Sequence, residues 1–517
     1  MGCNAQKQGK QQEKQSKGNQ KSLPDIQEEL QQKPKRNSEP ATKEKQNLQS
    51  QNQDKNKVSQ LFQLENQQVY RNKKFQLDYY ITNEQLQSQN NEGKLFTVEH
   101  KVTGLKRIAK ITKNVLTEGQ LQEYIEYIQS IKKLDHPNII KLFDFYNDEH
   151  HIYLVKEYCE GGNLVESLQN EAHNQNKTHI TFIIKQMLQA IFSIHLQNLV
   201  HKNITTKNIL LAQKSKYFAK LCGHDEIFYN HQDLNTEISY RAPETFSESY
   251  KWSASADIWS IGVVLYELLV GIHPFKEKYK NLTFENIKEQ KFKRLEDLKK
   301  LDLEAYSLII QMLNQDSRIR PTAKECLHHN YFKTLKQSSL NVSGVLLRAK
   351  NFKRKNELKI ILISLMIDYL LPKDERDGIA ETFNKLDNDM DGRISKRELI
   401  NLYKENLGND NLAKKEVEEV FKKLDLNENS YLEFNEFLIA ACDKKKLLSQ
   451  ENLKLFFNKL DKDCSRQISA NELKVFFVKT DLTESEWKEL MKLGDSIEDQ
   501  NNKLSYDELV ALLKENE

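Results

Sequence analysis

The stretch "LVHKNITTKNILLA", Leu199 to Ala212, sets a His and a polar residue ahead of Asn203, and a second Asn at 208 just before an apolar run. That is the outline of a phosphoryl-transfer loop with one departure. Where such a loop carries its acid, this chain has Asn203, a neutral amide without basicity at physiological pH. What surrounds the loop decides whether the chain does chemistry or only keeps an enzyme's shape.

Upstream, "GKLFTVEHKVTGLKRIAKIT" reads as two strands joined by a hairpin turn at Thr103-Gly104. "EYIEYIQSIKKLDHPNII" then spaces Ile125, Ile128, Ile131 and Leu134 as one face of a helix, stopped by Pro137. "HIYLVKEYCEGGNL" is a strand running into a glycine turn, and beyond it the chain is mostly helical, with "ADIWSIGVVLYELLVGIHPF" the most apolar helix. From about Phe75 the expectation is a small strand-rich lobe followed by a larger helical one.

A length of 517 residues is too great for one core and implies two to four domains. With 30% charged residues and a net charge of only +3, the composition is that of a soluble protein without a global field for nucleic acid. Six scattered cysteines without a CxxC pair read as reduced thiols of a cytoplasmic protein, not a disulfide frame or zinc site. The run "LKIILISLMIDYLL", Leu358 to Leu371, is shorter than the ~20 residues that span a bilayer and is interrupted by Lys359 and Asp368, so a buried helix is expected.

Residues 1–74 form a Gln-, Lys- and Asn-rich tail whose first sixty residues have no aromatic side chain, a composition unable to offset chain entropy by burial. It opens "MGCNAQKQGK": Gly2 and Cys3 are acyl acceptors, although Gln6 stands where the myristoylation motif carries Ser or Thr. A myristoyl chain alone holds a membrane only marginally, so a palmitoyl on Cys3 or the lysines that follow would be the second signal. The expectation is a membrane-attachable tail on a cytoplasmic protein.

The last region, 374–517, repeats. Acidic loops begin at Asp387, Asp425 and Asp461, and a fourth candidate at Ile497; the spacings are 425−387=38, 461−425=36 and 497−461=36. Calcium takes six to eight oxygens, which a twelve-residue loop supplies from alternating positions and closes with a bidentate Glu. "DNDMDGRISKRE" fits throughout, with Asp387, Asp389, Asp391, the turn glycine Gly392, the Arg393 carbonyl, Ser395 and Glu398. "DLNENSYLEFNE" offers Asp425, Asn427, Asn429, the Tyr431 carbonyl and Glu436, helped by Glu433, but puts Ser430 at the turn, at a cost of roughly 1–2 kcal/mol for its Cβ. "DKDCSRQISANE" offers Asp461, Asp463, Ser465, the Gln467 carbonyl and Glu472, with Arg466 at the turn. Both are expected to bind calcium more weakly than the first. The fourth, "IEDQNNKLSYDE", keeps Asp499, Asn501 and Glu508 but lacks the first carboxylate, and is expected to be a structural partner.

With these loops the chain from about Phe75 onward resembles the calcium-dependent protein kinases of plants and protists. The resemblance implies an α+β two-lobed protein-kinase fold (75–332), a junction segment (333–373) that in the family holds the kinase inactive until calcium rearranges the EF-hands, and an all-α paired EF-hand domain (374–517). Lys110 in "RIAKI" matches the lysine that contacts nucleotide phosphates, Asn208 the metal-binding Asn and His201 the structural His. "RAPE", Arg241 to Glu244, matches the motif closing the activation segment, Arg320 its ion-pair partner, and Asp257 the helix-anchoring Asp.

Several positions depart from the pattern. Asn203 replaces the catalytic Asp, Thr205 a Lys, Gly223 the metal-binding Asp, and Glu237 the Thr ahead of the closing motif. Only Gly93 remains of the glycine-rich lid, and Tyr127 stands where Lys110 should find a Glu, with Glu123 one turn earlier as the available substitute. These losses speak against ATP and magnesium as cofactors and leave calcium as the clear ion. The expected function is a catalytically impaired, calcium-responsive signalling scaffold for an unidentified protein partner. The alternatives are an active serine/threonine kinase using ATP on an unidentified substrate, and a structural calcium-binding component.

Overall fold

The computed structural model describes residues 70–71, 75–86, 93–101, 104–132, 134–165, 177–213, 216–223, 237–247, 252–335, 357–407, 409–426, 429–474, 484–495 and 501–514. Gly2 and Cys3, where acylation is expected from sequence, lie outside the described residues, as do most of the glycine lid and the basic stretch before Leu358.

The small lobe is a six-stranded sheet of β1 (Tyr70–Arg71), β2 (Tyr79–Leu86), β3 (Lys94–His100), β4 (Lys106–Lys113), β5 (Leu142–Asn147) and β6 (His151–Glu157) in the order β1-β5-β6-β4-β3-β2. β3 and β4 pair from Glu99 opposite Lys106 to Lys94 opposite Ile111, and Gly104 at φ +67° supplies the left-handed residue of the expected hairpin turn. Tyr70 and Arg71, assigned to the tail from sequence, instead add β1 parallel to β5. The unpaired backbone of a sheet edge selects such an addition, and no side-chain pattern announces it over two residues. Helix α1 (Glu118–Lys132) buries Tyr124, Ile125, Ile128 and Ile131 against Phe145 and Leu154 of the sheet, and Leu134, just past its end, packs on the same cluster.

The large lobe is built on α2 (Lys177–Leu196) and α3 (Ala254–Val270), with the short antiparallel strands β7 (Ile209–Gln213) and β8 (Lys216–Leu221) facing the cleft. α3 is apolar nearly all round and correspondingly sits in the middle of the core, ending at Gly271 in the left-handed conformation (φ +78°) that closes many helices.

In the last region α4 (Glu357–Leu370) is followed by four loops between helices: α5 (Lys373–Leu386), α6 (Lys396–Leu407), α7 (Asp410–Leu424), α8 (Phe434–Ala441), α9 (Gln450–Leu460), α10 (Ala470–Lys474), α11 (Glu484–Lys492) and α12 (Tyr506–Lys514). The loops are zipped in pairs by two short sheets, β9 (Ile394–Ser395) with β10 (Tyr431–Leu432), and β11 (Gln467–Ser469) with β12 (Lys503–Ser505). The apolar run is the buried helix its length implied: Leu358, Leu362 and Met366 of α4 have no exposure, among side chains of both loop pairs. Among the described residues no helix is long and apolar enough to cross a membrane.

Lys141 and Arg376 converge on the Asp368 carboxylate near the end of α4, and Arg107 donates to the Asp368 carbonyl at 3.1 Å. Asn384 donates to the Asn138 side chain at 2.9 Å, and the Asn435 N–H at the start of α8 donates to Asp135 at 2.6 Å. These contacts seat the EF-hand region on the "LDHPN" turn and the small-lobe sheet, and Gln213 of β7 in the large lobe donates to Asp377 of α5 at 3.2 Å.

Candidate functional site

Each calcium loop is held by the same few hydrogen bonds, which aim its acids inward. In the first, Asp387 accepts from the N–H groups of Asp391 (3.1 Å) and Gly392 (2.9 Å), and Asp391 accepts from the Arg393 N–H at 2.9 Å. Glu398, on the first turn of α6, reaches back with one oxygen to the N–H groups of Asn388 and Asp389 and with the other to Ser395 at 2.8 Å. Gly392 takes φ +83°, as the turn requires. The carboxylate oxygens of Asp387, Asp389 and Asp391 lie within 4.8 Å of one another. Burial, with Asp391, Glu398 and Asp389 close by, pushes the Asp387 carboxyl up to about 8; burial and Asp389 push Asp391 to about 6. A divalent cation offsets that crowding, and the all-oxygen donor set is the kind calcium takes.

The second loop reproduces the pattern with weaker donors. Asp425 accepts from Asn429 (3.1 Å) and Ser430 (3.0 Å), Asn429 accepts from the Tyr431 N–H at 2.9 Å, and Glu436 bridges the N–H groups of Leu426 and Glu433. Ser430 does adopt the left-handed turn, at φ +68°. Burial, then Glu433 and Asp425, push the Glu436 carboxyl up to about 8. Asn427 lies outside the described residues. In the third loop Asp461 accepts from Ser465 and Arg466, both at 2.9 Å, Ser465 is held to Asp463 and to the Gln467 carbonyl, and Glu472 accepts from Lys462 and Ser469. The carboxylates of Asp461, Asp463 and Glu472 also lie within 4.8 Å of one another.

The fourth loop holds a residue the sequence reading missed. Its Glu508 and Asn501 make the same bonds as their counterparts, to Ser505 at 2.9 Å and to the Lys503 N–H at 2.8 Å. The N–H at the turn position, Asn502, donates to Asp495 at 2.6 Å, a carboxylate two places ahead of Ile497. Counting twelve residues back from Glu508 passes over it; only a loop allowed two extra residues would have found it.

The other candidate site is the cleft between the lobes. Its frame is complete: Asp257 accepts from the backbone of His201 and Lys202, both at 2.8 Å, and from His195 at 2.9 Å, while Arg320 grips Glu244 at 2.7 and 3.1 Å. Lys110 is buried on β4. Asn203 donates its amide to the Gly223 carbonyl at 3.2 Å, and Asn208 donates to the Asn203 carbonyl at 2.9 Å. Tyr127 is half-buried on α1, and Glu123 points to solvent, so Glu123 does not take the substitute role expected of it beside Lys110. Glu237 is held by Lys207 at 3.5 Å and by Lys276, which keep its carboxyl below the usual range against the opposing effect of burial. Neither 199–213 nor 216–223, the segments lining this part of the cleft, contains a carboxylate.

Residues 89–332 match the protein kinase domain family and 376–442, spanning the first two loops, the EF-hand domain pair. The chain is 32% identical over 435 residues to Calcium-dependent protein kinase 4 of Plasmodium berghei, and equally to that of Plasmodium falciparum, covering 79% of this chain and 81% of each relative. It is 28% identical over 432 residues to Calcium-dependent protein kinase 34 of Arabidopsis thaliana, covering 80% of both.

Proposed function

Because the chain belongs to the calcium-dependent protein kinase family, we propose that it is a calcium-responsive signalling scaffold whose kinase domain is catalytically impaired. The observation that carries this reading is the contrast between two sites of one molecule. The calcium loops place their acids around common centres, whereas Asn203 and Gly223 leave the cleft without either working carboxylate. A positioned general base is worth about 10²–10⁴-fold in rate. Phosphoryl transfer further depends on metal ions to neutralise charge developing on the phosphates. Losing both together leaves little.

What the domain keeps supports binding. The ion pair of Arg320 with Glu244 and the bonds to Asp257 hold the large lobe in its family shape. The EF-hand region contacts the "LDHPN" turn and the sheet, so calcium occupancy and the exposure of a partner surface are linked. The partner is a protein, and acylated Gly2 and Cys3 would bring the complex from the cytoplasm to a membrane surface. A phosphotransfer assay with calcium, ATP and magnesium tests the reading: no transfer above background is expected, and turnover that disappears in Lys110→Ala overturns it. The retained Lys110 and Asn208 favour the competing reading, an active calcium-dependent serine/threonine kinase, and the same assay decides between them.

A further inference from the structure

The kinase fold implies a magnesium ion held between the nucleotide phosphates and two protein groups, the Asp at the position of Gly223 and the Asn at 208. We infer that this cleft takes no magnesium, because the Asn208 carboxamide fills the space in which the missing acid would stand; the inference rests on the reading of the cleft as catalytically impaired and explains how the impairment is locked in.

The geometry is specific. A Cβ placed on Gly223 would lie 2.6 Å from Asn208 Nδ2 and 2.7 Å from its Cγ, distances no real Cβ occupies. Gly223 sits at φ +97°, where residues with side chains are strained, so the backbone here is also shaped for glycine. Asn208 has little freedom to withdraw, since its amide donates to the Asn203 carbonyl at 2.9 Å and its carbonyl carbon lies against Gly223. Asn203 closes the ring by donating to the Gly223 carbonyl at 3.2 Å. The substituted Asn203 and Gly223 and the retained Asn208 thus satisfy one another where a metal and its acids would be. Magnesium holds its water tightly and enters protein sites through one or two carboxylates together with phosphate oxygens. From the described residues of 199–213 and 216–223 it would meet amides and backbone, and Lys207, beside Asn208, is a cation paired with Glu237.

Two measurements on the calcium-saturated full chain test this. In the first, melting temperature is followed with ADP, with magnesium, and with both; saturating calcium keeps the EF-hands from reporting magnesium. The expected result is that magnesium and ADP together shift the melting point no more than the sum of their separate shifts. A cooperative further rise of several degrees overturns the inference. In the second, Gly223→Asp should melt below the parent and gain no cooperation between ADP and magnesium. Should that variant not fold, Gly223→Ala reads the same contact: it should lower the melting point by less in an Asn208→Ala background than alone, since trimming Asn208 frees the space while leaving the backbone strain. An equal drop in both backgrounds overturns the inference. Cooperation without phosphotransfer would sink this inference but leave the impaired-kinase reading standing, because Asn203 still offers no base; phosphotransfer would sink that reading itself.

Discussion

Gly392 serves two neighbours at once. Its φ of +83° turns the first calcium loop, and its bare Cα lets that loop lie on the large lobe, since a Cβ would stand 3.0 Å from the His136 ring and 3.2 Å from Ser193. Gly392→Ala should therefore lower calcium affinity at this loop by roughly 1–2 kcal/mol through backbone strain and also loosen its seat on the lobe. Calorimetric calcium titration reads the first effect and proteolysis of the interface the second. At Ser430 the same turn is made by a residue with a side chain, at φ +68°. Ser430→Gly should accordingly tighten the second loop by about 1 kcal/mol, about fivefold in affinity. Glu398→Gln removes an ionic ligand and half of the bonds that tie α6 to the loop, at about 1.5–3 kcal/mol, and should raise the calcium needed for any conformational change by about tenfold or more.

Among the elements, α4 carries the most unusual sequence, apolar on every face, which obliges it to be surrounded wherever it goes. It lies in the core shared by both loop pairs, and Asp368, the acid near its C-terminal end, is turned to Lys141 of the small lobe. Burial alone would raise the Asp368 carboxyl, but Lys141 and Arg376 hold it below its usual range. Asp368→Ala would leave those two cations and the Arg107 side chain facing one another, costing about 2 kcal/mol for the lost charged hydrogen bonds. The expected outcome is earlier tryptic cleavage on either side of α4 with calcium present, while calcium affinity of the isolated loops stays within twofold of the parent. Undiminished protection would mean that the apolar core alone seats the helix.

Over the whole molecule, the small lobe meets the third EF-hand through a pair with its own pH signature. Lys459 of α9 stands against His100 of β3 and over the Tyr369 ring at 3.9 Å, with Tyr79, Arg107 and Lys462 close to the imidazole. Burial, then Lys459, hold the His100 pKa down to about 2, against about 6.5 when unfolded. The unfolded chain thus binds the extra proton first as pH falls, so this contact loses stability below about pH 6.5, by up to about 1.4 kcal/mol per unit. The melting temperature should fall between pH 7 and 5.5, and His100→Gln, which cannot take the proton, should fall less over that interval. Parallel profiles would show that other groups carry the acid sensitivity.

The sequence by itself determined most of the elements and the acidic pattern of the first three loops. Alternation and 3.6-residue spacing follow from which face must leave water, so the small-lobe sheet, the helix at Ile125 to Ile131 and the buried character of 358–371 were legible without coordinates. The EF-hand loops were equally legible, because a loop that would enclose an ion within twelve residues is a local object. What only the tertiary structure decided is what non-neighbours do to one another. Asp495 serves the turn of a loop that starts after it, Tyr70 and Arg71 extend a sheet edge, Glu123 faces solvent instead of reaching Lys110, and Asn208 stands against Gly223 fifteen positions away (223−208=15), where a Cβ would be. Each depends on distances across the fold that are set by the summed packing of the lobes, and packing of that kind leaves no period in the chain to read.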